Sequence, residues 1–387
     1  MNLFKRIKKT ILPAVILSAF LSYAPMSAKQ TTTLPQQDKI ELKTSAIKKQ
    51  ESKKPDYKEV RGVFLYSWNT RNKDKLEELI DNMKQSNLNA VVVDIKSNAG
   101  EILYNTQNDL AKTIESKYSA LGNLEKFIKK FHDENIYFIA RHVVFNDPIL
   151  AKKRPDLAIH NQNGEVWKGE MAKSYVPWAD PNSAEVQKYN LDILEEVCKA
   201  GIDEIQFDYI RFPAHKNLVY SHQEPDTSKI QVLQKFLNDA WLIADKYDVK
   251  VGIDIFGFSI YNSGDLGIGH SFLDLLESID VISPMLYPSH YTTGNFGFEK
   301  PQNHPYEVIS SSVEKANKMA KEKNVVVRPW IQAFGWNTPT YSIEYIMDEI
   351  QAVYDGGSTS FLVWNANNNY DMLFKAIQKA NMKFAPF

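Results

Sequence analysis

Residues 204–213 read EIQFDYIRFP. Alternate side chains of an extended strand face opposite sides, so Ile205, Phe207 and Tyr209 form one apolar row and Glu204, Gln206 and Asp208 form a polar one. The apolar row suits a surrounding layer of helices. The polar row then projects into the interior of a barrel, with Asp208 uppermost near the carboxyl end of the strand, where βα barrels carry their chemistry.

The same parity extends outward along the chain. In AVVVDIK (90–96) it turns Asp94 and Lys96 inward while Val91, Val93 and Ile95 pack outward, and in KVGIDIF (250–256) it turns Gly252 and Asp254 inward. Apolar runs rich in β-branched and aromatic residues recur at 61–68, 90–96, 136–143, 203–210, 250–256, 280–286, 325–332 and 359–364. Helical periodicity fills stretches between them at 74–85, 121–134, 183–200, 228–247, 306–323 and 342–354, with Gly201 and Gly356/Gly357 placed as helix caps. Eight strands alternating with helices predict an α/β fold, a single closed (β/α)8 barrel. The alternative, a doubly wound open sheet, lacks a glycine-rich phosphate turn after the first strand. Long aromatic- and Asn-rich segments at 145–181, 213–227 and 287–304 follow the third, fourth and sixth strands, and in a barrel these loops build the functional face.

Three aspartates, Asp94, Asp208 and Asp254, are thus expected at one end of one barrel. Crowded carboxylates repel each other, and burial raises at least one of their pKa values. Hydrolysis of a glycosidic bond uses that condition, with one carboxyl protonated as acid and another ionised as nucleophile or base. The structural alternative is neutralisation by Lys96, Arg141, Arg211 and Arg328. Around the carboxylates stand Trp68, Trp167, Trp178, Tyr209, Tyr287, Tyr291, Trp330, Trp336 and Trp364, flat rings of the kind that sugars stack on. Of these, Trp68, Tyr209, Tyr287 and Trp364 are expected to touch a substrate. Gln332, Asn365 and His142 are candidates for hydrogen bonds to hydroxyls, and Arg211 is expected to steer an ionised Asp208. No cofactor is implied, and no tight His/Asp spacing suggests a metal site or a metal-dependent sugar deacetylase.

The 387 residues carry 46 Lys and Arg against 47 Asp and Glu, for a formal charge of -1. That balance lacks the basic footprint nucleic acid demands. Lys5, Arg6, Lys8 and Lys9 precede an apolar run at 11–24, the layout of a signal peptide over 1–28. The run is short for a membrane span, so contact with a membrane is expected only if the leader is left uncleaved. Residues 29–58, rich in Thr, Gln, Lys and Ser, read as a flexible polar spacer, and 59–387 as the barrel. The lone Cys198 sits in the apolar phase of a helix and can form no internal disulfide. A monomer, secreted or held in the cell envelope, is expected.

Taken together, RGVFLYSW (61–68), EIQFDYIRFP (204–213), IDIFG (253–257), SPMLYPSHY (283–291), RPWIQAF (328–334) and FLVWNANNNY (361–370) resemble a bacterial putative glycosyl hydrolase family, first catalogued as a domain of unknown function. The resemblance implies a TIM barrel related in design to α-amylase-like glycosidases, acting on a poly- or oligosaccharide. In the amylase-like pattern an Asp ends the fourth strand and a Glu acid ends the fifth. Asp208 fits the first, the fifth strand offers Asp254, and Gln206 occupies the position of an Arg two residues before the Asp. A chitinase-like alignment would put Ile210 where the catalytic Glu belongs, which disfavours that chemistry. The expected roles are Asp208 as nucleophile or base, Asp254 as acid and Asp94 as a third carboxylate that orients the sugar or tunes the pair. A non-catalytic sugar-binding barrel of the envelope is the alternative.

Overall fold

The computed structural model describes residues 59–67, 70, 72–169 and 175–380; the expected leader, spacer and Trp68 lie outside them. Eight strands follow in chain order: β1 (Arg61–Leu65), β2 (Ala90–Lys96), β3 (Tyr137–Val143), β4 (Glu204–Asp208), β5 (Lys250–Phe256), β6 (Val281–Met285), β7 (Trp330–Gln332) and β8 (Phe361–Trp364). Each pairs in parallel with the next, and β8 pairs back onto β1 through Val63↔Val363. The sheet is closed, so the open-sheet alternative falls. Before β7, Val326–Val327 also pairs with β6, and Pro329, which has no N–H to give the ladder, separates the two short pieces.

Helices α1 (Lys73–Gln85), α2 (Leu124–His132), α3 (Ala184–Lys199), α4 (Lys229–Asp245), α5 (Pro305–Ala320) and α6 (Ile343–Asp355) form the outer layer, and α7 (Asp371–Lys379) follows β8. Side chains of Asn72, Asn123, Ser183, Ser228 and Ser342 cap the first turns of α1, α2, α3, α4 and α6. A cap of this kind contributes about 1 kcal/mol. Between β5 and β6 the chain makes only the short helix Phe272–Leu275 and 3-10 turns. The link from β2 to α2 is longer than a simple turn. It carries the strands Ile102–Tyr104 and Lys117–Gly122 and a one-turn helix, Asp109–Thr113.

Two apolar clusters follow from strand alternation. The larger lies between barrel and helices and includes Val91, Val93, Ile95, Ile205, Phe207 and Cys198. The smaller fills the barrel, with Phe64, Val92, Ile139, Tyr287, Trp330 and Leu362. Below the site, Arg328 donates to both oxygens of Glu204 at 2.8 Å, and the Tyr137 hydroxyl donates to Glu204 Oε2 at 3.2 Å. A Cβ at Gly252 would stand 2.9 Å from Glu204 Oε1. Glycine there is what lets the buried ion pair close the barrel floor.

One side chain departs from the parity reading. Lys96 was expected inward, but β2 gains a residue against β3 between the pairs Asp94↔Arg141 and Lys96↔His142. This bulge turns Lys96 toward the helix layer. There it reaches Asp147 at 2.8 Å, the Asn190 side chain at 3.0 Å and the Val144 carbonyl at 3.1 Å.

Candidate active site

At the carboxyl end of the barrel the strands bring Asp94, Arg141, Gln206, Asp208 and Asp254 together. Asp94 pairs with Arg141 across β2 and β3, and Arg141 pairs with Gln206 across β3 and β4. The last ladder pair of β4 and β5 is Phe207↔Ile253, so Asp208 and Asp254, one residue further, stand at the same level on neighbouring strands.

Arg141 organises the group. Its Nη1 donates to Asp94 Oδ1 at 2.5 Å, Nε donates to Asp208 Oδ2 at 3.1 Å, and Nη2 donates to the same oxygen. The other oxygen of Asp208 accepts from the Tyr209 backbone N–H at 2.6 Å. Tyr209 adopts a left-handed backbone, φ 50°, which ends the strand and folds that N–H back onto the carboxylate. Burial works against the Arg141 charge, but the pull of Asp94, Asp208 and Asp254 outweighs it and holds its pKa well above the usual value.

Asp254 has a different environment. Its Oδ1 accepts from Trp330 Nε1 and from Gln206 Nε2, each at 2.6 Å. These donors and Arg141 favour the charge, yet burial and then repulsion from Asp208 push its pKa well above the ordinary carboxylate range. Burial and Asp208 also raise Asp94, against the opposing influence of Arg141. One guanidinium therefore faces three carboxyls, and the group carries excess acid.

Tyr287 closes one side, its phenol raised by burial and then by Asp254 and Asp208. Trp364 closes another. It stacks on Phe64 with ring centres 4.1 Å apart, meets Trp330 edge-on, and lies under the Arg141 guanidinium.

Other candidates lie elsewhere or are already engaged. The alternation that turns Arg141 inward turns His142 outward, where it is bonded to Asn190 of α3 at 2.8 Å and fully buried. Arg141 bonds Asp208 directly, the part expected of Arg211. The Arg211 guanidinium lies over the rings of Trp178, Phe256 and Tyr209 at 4.7–5.2 Å. Gln332 accepts from Ser289 N at 3.1 Å and donates to the Phe334 carbonyl and Thr338 Oγ1, so its amide ties two loops together. Asn365 likewise donates to the Ala333 carbonyl and accepts from the N–H groups of Asn367 and Asn369. Trp68 is not among the described residues.

The sequence reading named Arg141 only as a barrel cation, and its site role escaped notice. Applying the parity used for β2, β4 and β5 to YFIARHV would have found it. Among the described residues no group of three or more His, Cys, Asp or Glu side chains could hold a metal ion.

Solved structures with similar folds include the glycoside hydrolase domain of PgaB (BpsB) from Bordetella bronchiseptica, 15% identical with a TM-score of 0.56 over 82% of this chain and 98% of that one. Alpha-L-fucosidase isoenzyme 2 from Paenibacillus thiaminolyticus, 13% identical, aligns with a TM-score of 0.57 over 84% of this chain and 49% of that one. The alpha-galactosidase TtGalA from Thermus thermophilus, 14% identical, aligns with a TM-score of 0.52 over 85% and 62%. At these identities the likeness is one of fold. No curated protein matches the sequence. Residues 62–370, most of the barrel, match the model of a family described as a putative glycosyl hydrolase domain, and the chain accordingly belongs to that family and is a glycoside hydrolase.

Proposed function

We propose that this hydrolase cleaves a polysaccharide outside the cell or in the cell envelope, with Asp208 as nucleophile and Asp254 as acid. The observation that carries the reading is the contrast between the two carboxyls. Asp208 accepts from the Arg141 guanidinium on one oxygen and a backbone N–H on the other, whereas Asp254 is buried and held toward its protonated form. With two donors on Oδ1 of Asp254, the proton belongs on Oδ2, available to a leaving oxygen. Once Asp208 is consumed in a glycosyl bond, its repulsion of Asp254 vanishes. The pKa of Asp254 then falls, and the group becomes the base that activates water for the second step.

Neighbouring strands lie about 4.7–4.9 Å apart. Carboxyls at one level on such strands favour the separation of about 5–5.5 Å that suits a covalent intermediate over the wider one that admits water. This supports a retaining outcome. Asp94 acts through Arg141, fixing the guanidinium that holds Asp208. Location outside the cytoplasm rests on the basic, then apolar, leader.

The test is to incubate the purified protein with bacterial and plant polysaccharides, assay new reducing ends, and follow the first-formed anomer by NMR. Retention on a substrate that is cleaved is the expected result. Inversion would reject Asp208 as nucleophile. Sugar binding with no new reducing ends would favour the non-catalytic barrel.

A further inference from the structure

A line of rings leads outward from the carboxylates along the loops after β6 and β7. Tyr287, influenced by both Asp254 and Asp208, meets His290 at 5.3 Å between ring centres, and His290 meets Trp336 at 5.4 Å. Phe334 backs the line, 5.7 Å from Tyr287. Trp336 ends it and is 42% exposed.

A single exposed apolar side chain needs no special explanation. This one is held unusually well. Asn337, with a left-handed φ of 51°, donates to the Ser289 carbonyl at 3.0 Å, and Thr338 Oγ1 donates to the Trp336 carbonyl at 3.0 Å. Gln332 receives Ser289 N and donates to Thr338 Oγ1. The loops after β6 and β7 are thus tied to each other next to Trp336. Ordering the loops leaves a large part of the ring open to solvent, and a ring held in advance costs a ligand little entropy to use.

We infer that Trp336 is a stacking platform for an uncharged pyranose of the polysaccharide chain, at a subsite beyond the one holding the cleaved bond. The platform suits a sugar whose equatorial hydroxyls leave an apolar ring face, since aromatic faces recognise such surfaces. His290 beside it is neutral at neutral pH, its pKa lowered to about 4 by burial, so it offers no cation to a uronate. The inference rests on the hydrolase reading for the direction in which the chain runs, but not for the binding itself.

The test compares wild-type protein with Trp336→Ala and Trp336→Phe by calorimetry. The probes are cellohexaose, maltohexaose and N-acetylchitohexaose, with hexagalacturonate as the charged control. At least one neutral hexasaccharide should bind wild type; Trp336→Ala should weaken it about tenfold or more, and Trp336→Phe should restore much of the loss. On a hydrolysed chain, the Ala variant should raise KM and leave kcat on the matching nitrophenyl monoglycoside unchanged. Equal binding by wild type and Trp336→Ala, preference for the uronate, or no binding of any neutral hexasaccharide overturns the platform. Binding that depends on Trp336 without release of reducing ends rejects hydrolysis and leaves the platform standing.

Discussion

The barrel holds two sets of buried acids and arginines, and they are built on different arithmetic. At the floor, one guanidinium, Arg328, answers one carboxylate, Glu204, using both of its oxygens. At the mouth, one guanidinium, Arg141, answers Asp94 and Asp208 and also feels Asp254. Burial raises Glu204 even against Arg328, but its charge is matched. Asp254 has no cation of its own, and it is pushed further. A matched buried pair is a structural plug, whereas an unmatched acid next to a matched one is a proton donor beside an anion. Chemistry belongs to the second arrangement.

Removing the mouth's anion should give the largest effect. Asp208→Asn keeps volume and loses charge, and kcat should fall by about a thousandfold or more, at least about 4 kcal/mol of transition-state stabilisation. Folding measured by circular dichroism should be little changed. A variant keeping a tenth of wild-type kcat would remove the distinction drawn between the two regions.

Breaking the floor should do the reverse. Arg328→Met strands Glu204 in the interior, and losing one partner of a buried pair costs about 3–5 kcal/mol. Calorimetry should show Tm lower by about 4–7 °C, with kcat per folded molecule close to wild type. A fall in kcat at unchanged Tm would make the plug part of the site.

A smaller change at the mouth tests the proton directly. Trp330→Phe removes an N–H that favours ionised Asp254, so the pKa of the acid should rise. The active form has Asp254 protonated, and its loss sets the alkaline limb of the pH–kcat profile. That limb should therefore move to higher pH; a limb that stays in place or moves down would contradict the assignment.

The smallest effect concerns a buried acid outside both sets. Glu349 on α6 is fully buried, and burial raises its pKa well above the usual value. The Gln332 N–H lies near enough to favour its charge but outside hydrogen-bond geometry, and neither carboxyl oxygen has a partner. A group raised on folding gives stability that is complete below its unfolded pKa and is lost as pH rises toward the folded value. Glu349→Gln removes that loss, so its Tm should exceed wild type by a few degrees at pH 8, with the gap closing toward pH 4. A gap that widens in acid would show the sign to be wrong.

Strand parity made the barrel and the meeting of Asp94, Asp208 and Asp254 legible, because one face of each strand had to satisfy helices and the other a confined interior. It misplaced Lys96, since one extra residue in β2 reverses every side chain after it and leaves no mark in composition. Applied to β3, it would have turned His142 away and Arg141 in. The amides of Gln332 and Asn365 looked available because their residue types suit sugars. Only the folded loops reveal that backbone groups of Ser289, Phe334 and Ala333 already occupy them. The long link after β2 escaped notice because its strands, Ile102–Tyr104 and Lys117–Gly122, are short and weakly patterned.

The central claim divides labour between two aspartates, and leaving-group dependence tests that division most directly. Asp208→Asn and Asp254→Asn should be assayed on a glycoside of a good leaving group, 2,4-dinitrophenol, and on the alkyl glycoside of the same sugar. Attack is needed for both substrates and protonation only for the second. The account predicts that Asp208→Asn is inactive on both, while Asp254→Asn releases dinitrophenol in a rapid first turnover, its later turnovers slowed by the missing base, and fails on the alkyl glycoside. An Asp254→Asn variant equally impaired in first-turnover release from both substrates, or an Asp208→Asn variant spared on the activated one, would contradict it.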